Sequence, residues 1–253
     1  MLEPTVAVAS FAVEEAATLA PGQRIYCVGD LHGRADLLDA LLQCVDHHMK
    51  IKPADKACEI HLGDMVDRGP DSRRVLDILS GKPADRTRVL LRGNHEQRLL
   101  DLLANADDCE QWLYEGGYET LLSYGVPKEM LTVSVDSPRV IRHLQQAMGA
   151  HVDLLRATKI WHEIGGFLFV HAGVDPSKSF EDQNTPDMLM IREPFLSHRA
   201  RWDYCVVHGH TPSYNVTRGP HRIGIDTGAY ATGKLTCLVL DPEGSMTITI
   251  MRR

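Results

Sequence analysis

Residues 60–70, IHLGDMVDRGP, constrain this chain more than any other stretch. A short apolar run stops at a glycine and then delivers Asp64, Asp67 and Arg68 in quick succession. Two carboxylates and a guanidinium at the predicted end of a buried strand are costly unless each meets a charged partner. Asp64 therefore asks for a cation, and Arg68 for an anion such as a phosphate, which its planar fork grips at two oxygens. The same order of apolar run, glycine and ligand-type residues recurs elsewhere. IYCVGDLHG gives Asp30 and His32, VLLRGNHE gives Asn94 and His95, FLFVHAG gives His171, and CVVHGHT gives His208 and His210. Five strand ends are expected to converge on one site.

The elements between these loops explain why they should meet. Residues 24–28, 58–62 and 88–91 read as strands, and residues 35–49, 72–79 and 96–103 as helices. The first helix carries Leu37, Leu38, Leu41, Leu42 and Val45 at helical spacing, and the second follows the proline and aspartate of GPDS. Strand, ligand loop and helix, repeated three times, favour right-handed βαβ units with the loops together at the carboxyl ends of the strands. Residues 107–156 change character and are predicted to form a helical insert that walls the site, with turns at Gly116, Gly117 and Pro127. Residues 159–163 and 166–170 read as a hairpin, 175–201 as a long loop, and 204–207, 222–225, 234–240 and 246–251 as strands. Two sheets with helices outside them are the economical arrangement. We expect an N-terminal segment over 1–23 and a single domain over 24–253.

The chain has 253 residues, enough to bury roughly three quarters of its unfolded surface, so no disulfide is needed. Six cysteines are scattered without a C-x-x-C pair and read as reduced core thiols. A formal net charge of -7 argues against a general nucleic-acid or anionic-membrane surface, so any preference for phosphate must be local. The first twenty residues lack a basic start and carry Glu3, Glu14 and Glu15, which leads us to expect no signal peptide and a cytoplasmic protein.

A carboxylate between two divalent ions, with neutral imidazole and amide donors around it, is how a protein holds two metals about 4 Å apart. Asp64 is the bridge in this reading, with Asp30 and His32 on one ion and Asn94, His171 and His210 on the other. Oxygen and imidazole donors without thiolates suit Mn²⁺, Fe or Zn²⁺ better than Ca²⁺, with Mn²⁺ the expected ion. Such a pair acidifies a bound water to hydroxide, which can attack a phosphorus in line. The leaving oxygen then needs a proton, which His95, oriented by Asp67, would supply as general acid. Arg68 and a second arginine would neutralise the remaining phosphate oxygens.

GDLHG, GDMVDRG, RGNHE, HAG and HGHT, in this order, resemble the phosphoprotein phosphatase family of metallophosphoesterases. That family includes serine/threonine protein phosphatases, their bacterial relatives and symmetrical diadenosine tetraphosphate hydrolases. The resemblance implies a calcineurin-like fold, a central β-sandwich flanked by helices in four αββα layers. It implies the same metal ligands, the Asp67–His95 pair and phosphate binding by Arg68. It also points to Arg192 in MLMIREPF as the second arginine, where bacterial members place W-x-R and Met190 stands for the tryptophan. The implied activity is dinuclear-metal hydrolysis of phosphoserine or phosphothreonine in proteins, with phosphotyrosine a further substrate, so the expected partner is a phosphorylated protein or peptide. The alternative is a dinucleoside polyphosphate hydrolase, with RGPDS as its sign, against which HGHTP and IDTGAYATGKLT weigh. A non-catalytic scaffold would have lost a ligand, and none is missing.

Taken singly, Asp30, Asp64 and Asn94 could be caps or turn residues; five coordinated loops argue otherwise. His208 reads as structural, His61 as a core histidine, and His47, His48, His143, His151, His162, His198 and His221 as surface. Asp226 reads as structural, Trp112, Tyr114, Tyr118 and Tyr124 as packing of the insert, and Tyr230 as a weak substrate contact.

Overall fold

The structure, a computed structural model, describes residues 3–11, 18–105, 109–131, 137–200 and 202–252. Two sheets share one interior. The first runs in the spatial order β1 (Thr5–Phe11), β11 (Gly244–Met251), β10 (Lys234–Asp241), β2 (Gln23–Val28), β3 (Lys56–His61), β4 (Thr87–Leu90). The second runs β5 (Trp161–Ile164), β6 (Phe167–Val170), β7 (Cys205–His208), β9 (Arg222–Gly224), β8 (Thr217–Gly219). Strands β2, β3 and β4 pair in parallel, as do β6, β7 and β9. Parallel neighbours send their carboxyl ends to one edge of each sheet, which is what gathers the ligand loops.

Period-2 alternation decides which core each side chain enters. Ile25 and Cys27 of β2, with Ile60, Phe167, Phe169, Val207 and Leu238, fill the space between the sheets. Tyr26 and Val28 point the other way, against Leu37, Leu38, Leu41 and Val45 of α1 (Ala35–Ile51) and Val75 and Leu76 of α2 (Ser72–Ser80). With both faces covered, Ile25 to Val28 of β2 read in sequence as an unbroken apolar run. Asp71 caps α2, its Oδ1 accepting from Arg74 N at 3.1 Å. The next helix, α3 (Asn94–Asn105), begins two residues earlier than expected and so carries Asn94 and His95 in its first turn. Outside the second sheet, Leu168, Val170 and Val206 pack with Met188 and Phe195.

The insert is helical: α4 (Cys109–Trp112), a wide turn over Leu113–Gly117, α5 (Tyr118–Ser123), one turn over Lys128–Leu131, α6 (Ser137–Met148) and α7 (Ala150–Arg156). Its residues 107–108 and 132–136 lie outside the described residues, as do 1–2 and 12–17 of the N-terminal segment. Four elements depart from expectation. Within the N-terminal segment, Thr5–Phe11 is an edge strand paired with β11, from Thr5 opposite Met251 to Phe11 opposite Ser245. The expected loop over 175–201 holds a helix, α8 (Thr185–Met190), capped by Asn184, whose Oδ1 accepts from Asp187 N at 2.9 Å. Strand β8 and the short helix α9 (Ala229–Thr232) are additional. All six cysteines are free thiols. Among the described residues no helix is long and apolar enough to cross a membrane.

Candidate active site

Every sequence-predicted site residue except Arg192 sits just beyond a strand or at the start of the following helix. Asp30 and His32 follow β2; Asp64, Asp67 and Arg68 follow β3; Asn94 and His95 open α3; His171 follows β6; and His210 follows β7. The loops bend sharply enough to need left-handed backbone. Among the described residues, the non-glycine positions with positive φ are His32, Asp64, Asp67, Arg68 and His210, all in the site. Such conformations cost about 1–3 kcal/mol each and persist where the surroundings over-determine them. Part of that support is Glu96, fully buried, whose carboxylate accepts from Asp64 N at 2.8 Å, Met65 N at 2.7 Å, Val66 N at 3.2 Å and Gly93 N at 2.8 Å. The close approach of this loop to the next one needs Gly93, because a Cβ there would run into the Asp64 carboxylate.

Asp64 stands at the centre. Its Oδ2 lies 3.4 Å from His32 Nε2 and its Oδ1 3.4 Å from His171 Nε2. Asn94 Oδ1 lies 3.0 Å from His171 Nε2 and 2.9 Å from His210 Nδ1. Two groups of potential ligand atoms result, His32, Asp64 and His95, and Asp64, His171 and His210, with Asp64 in both. Asp30 is buried beside them and accepts from His210 N at 3.0 Å. Arg192, just beyond α8, is exposed and close enough for its charge to act on His210.

Hydrogen bonds behind the imidazoles show what the front can bind. His32 Nδ1 donates to Val66 O at 3.0 Å and His171 Nδ1 to Leu62 O at 2.9 Å, which assigns the lone pair of each ring to Nε2. The His171 lone pair then meets the oxygens of Asn94 and Asp64, acceptors facing acceptors. At His32, Arg68 Nη1 donates to Nε2 at 2.9 Å, a positive group meeting a donor set suited to one. Burial holds His32 down to about 4 and His210 down to about 3, and lowers His171, so all three rings are neutral at pH 7. Converging lone pairs on neutral imidazoles, an amide oxygen and carboxylates fit divalent cations, and the absence of thiolates from the set favours Mn²⁺, Fe or Zn²⁺.

The Asp67–His95 pair is equally explicit. His95 Nδ1 lies 2.7 Å from Asp67 Oδ2, which also accepts from Trp112 Nε1 at 2.9 Å, while Asp67 Oδ1 accepts from Thr120 Oγ1 at 2.7 Å. Burial disfavours the charged ring of His95, but the Asp64 carboxylate, then the hydrogen bond and charge of Asp67, outweigh it and hold the group at about 9. Glu96, Trp112 and Thr120 were not among the sequence candidates. Glu96 directly follows His95, and the polar N–H of a tryptophan in the helical insert was the available hint for Trp112.

The remaining histidines divide as follows. His61 is buried against Glu59, with Nε2 to Oε1 at 2.7 Å. His208 is buried but turns away from the ligand groups, its Nδ1 3.1 Å from Gly209 O and its ring on Phe195 at 5.0 Å. His48 and His151, expected as free surface residues, are bonded to the Tyr26 and Tyr124 hydroxyls at 2.7 and 2.8 Å. Asp226 forms a turn, its Oδ1 accepting from Gly228 N at 2.8 Å, and burial pushes it up to about 6. Tyr230, 40% exposed, stands edge-on to His32 at 5.2 Å and beneath the Arg68 guanidinium at 5.0 Å.

Comparison with known proteins gives a consistent picture at the level of the family. A model of the calcineurin-like phosphoesterase family matches residues 23–242. An asymmetrical bis(5'-nucleosyl)-tetraphosphatase, PrpE of Oceanobacillus iheyensis, is 23% identical over 233 residues, 84% of this chain and 87% of the relative. A symmetrical bis(5'-nucleosyl)-tetraphosphatase of Nitrosospira multiformis is 31% identical over 191 residues, 75% of this chain, which spans 58% of that longer protein. Serine/threonine-protein phosphatase 1 of Salmonella typhimurium is 33% identical over 96 residues, 38% of this chain and 39% of the relative. A crystal structure of a candidate diadenosine tetraphosphatase shares the fold, with a TM-score of 0.62 at 21% identity over 94% of this chain and 99% of the other.

Proposed function

The chain belongs to the calcineurin-like phosphoesterase family, and from that premise we propose that this hydrolase acts on phosphomonoesters of protein serine and threonine, with phosphotyrosine as a further substrate. The observation that carries the reading is the Asp67–His95 pair at 2.7 Å. A serine or threonine alkoxide is a strong base and must be protonated as it departs. A nucleoside diphosphate, the leaving group in symmetrical cleavage of diadenosine tetraphosphate, is a stable anion and needs no such help. A buried, fully bonded acid pair is therefore suited to the first reaction.

The geometry supports the following division of labour. Asp30, His32, Asp64, Asn94, His171 and His210 would hold two divalent ions, Mn²⁺ in our reading, which supply Lewis acidity and an acidified water when bound. Arg68 and Arg192 would take the phosphate oxygens that face away from the ions. His95 keeps its Nδ1 proton on Asp67 and gives its Nε2 proton to the leaving oxygen. The partner implied is a phosphorylated protein or peptide. A second reading, hydrolysis of dinucleoside tetraphosphates, is favoured by the names of two of the relatives above.

The test of the acid role is His95→Asn, assayed with Mn²⁺ on a phosphothreonine peptide. Turnover should fall at least about a hundredfold with the fold retained by circular dichroism. Full activity in the folded variant would remove His95 from the mechanism.

A further inference from the structure

The helical insert reaches into the site by four hydrogen bonds with the loop after β3. Asp67, Trp112 and Thr120 are each 0% exposed. Trp112 Nε1 donates to Asp67 Oδ2 at 2.9 Å, and the Thr120 hydroxyl donates to Asp67 Oδ1 at 2.7 Å while accepting from Asp67 N at 3.0 Å. Arg68 N donates to Gly116 O at 2.9 Å. Gly116 is at φ +117, and a Cβ there would come within 2.6 Å of Arg68 N, so the turn and the loop are shaped to each other. Ser72 Oγ, 2.9 Å from Thr120 Oγ1 and accepting from Asp67 N at 3.0 Å, closes the network.

We propose that Trp112 and Thr120 are positioning residues for the acid step, fixing the Asp67 carboxylate so that it aims the His95 ring at the leaving oxygen. The inference rests on the general-acid reading above. A carboxylate held only by its own φ of 68° could swing about its χ angles. With one donor fixed on each oxygen it cannot, and the remaining lone pair of Oδ2 points at His95 Nδ1. The ring plane then follows, and Nε2 is left facing the cavity that holds Asp64 and His32. Both donors come from a segment about fifty residues away in sequence, so the insert sets the geometry of the acid as well as covering it.

A merely structural role for the same bonds would cost stability without regard to the leaving group. The discriminating experiment measures kcat and KM, with Mn²⁺, on a phosphothreonine peptide and on 4-nitrophenyl phosphate, whose phenolate leaves readily without a proton. The variants are Trp112→Phe, which keeps the ring and removes the donor, the near-isosteric Thr120→Val, and His95→Asn as reference. We expect kcat on the peptide to fall about tenfold or more in Trp112→Phe and Thr120→Val, less than about threefold on 4-nitrophenyl phosphate, with KM unchanged. In the metal-free protein, the His95 Nδ1 proton should exchange with solvent faster in both variants than in the wild type. Equal losses on the two substrates, or no change in either, overturn the inference while His95→Asn shows the leaving-group effect. If His95→Asn itself shows none, the acid reading fails and the inference falls with it.

Discussion

Strand β3 carries two clusters of buried charge, and they are built on opposite principles. Mid-strand, Glu59 is fully buried and closed upon itself: His61 Nε2 lies 2.7 Å from Oε1, Arg88 Nε 2.5 Å from Oε1 and Arg86 Nε 2.7 Å from Oε2. Only His61 Nδ1 is left without a partner there. Just past the strand end, Asp64 faces the neutral imidazoles of His32 and His171 beside the charged ring of His95, and burial with the charges of Asp226 and Asp64 pushes the neighbouring Asp30 carboxyl well up. The first cluster has its counter-ions in the chain. The second presents donors that require a cation from outside. Buried charge alone therefore does not identify a site; the direction in which its unshared electron pairs point does.

The contrast breaks most sharply under substitution. Asp64→Asn should lower kcat/KM on a phosphothreonine peptide about a hundredfold to a thousandfold and reduce bound Mn²⁺ measured by elemental analysis, with the metal-free protein still folded. Glu59→Gln should do the reverse. It leaves Arg88 without a carboxylate partner, while Arg86 keeps Asp46 and Asp85, so urea unfolding should show a loss of about 3–5 kcal/mol, with kcat/KM of the folded protein within about threefold of wild type. Saturating Mn²⁺ at about a hundred times its Kd should stabilise the wild type by about 2.7 kcal/mol for each ion bound. That increment should survive in Glu59→Gln and vanish in Asp64→Asn.

The smallest effect concerns acid. Burial works against the Glu59 charge, but the hydrogen bond from His61 and the pair with Arg88 prevail and hold the carboxyl far below its ordinary value of 4.5. Burial also lowers His61 below its ordinary 6.5. Both folded values lie below the unfolded ones, so both contributions are complete above those unfolded values and are lost as pH falls through them toward the folded ones. Urea midpoints for the wild type should drop between pH 7 and pH 4, with a flatter dependence below pH 4.5 in Glu59→Gln.

Much of the site was legible because its residues are local to strong signals. Each ligand follows an apolar run that can only be a buried strand, and parallel topology brings the strand ends together. The insert's share was not legible, since Trp112 and Thr120 lie 45 and 53 residues from Asp67 and ordinary helix-core patterning hides their polar atoms. Strand β1 escaped because TVAVASF is exposed along most of its length and pairs with β11 at the far end of the chain, a contact that no local pattern announces. Helix α8 did leave a signal, the Asn184 cap and Pro186, inside a stretch whose polarity argued for a loop.

In the proposed mechanism the Asp67–His95 pair commits this site to esters whose leaving group needs a proton. That commitment is tested most directly by kcat/KM with Mn²⁺, side by side, on a phosphothreonine peptide and on diadenosine tetraphosphate. Our account expects the peptide to be favoured by about tenfold or more. A preference of that size for the dinucleotide would contradict it and assign the insert to the recognition of a nucleoside.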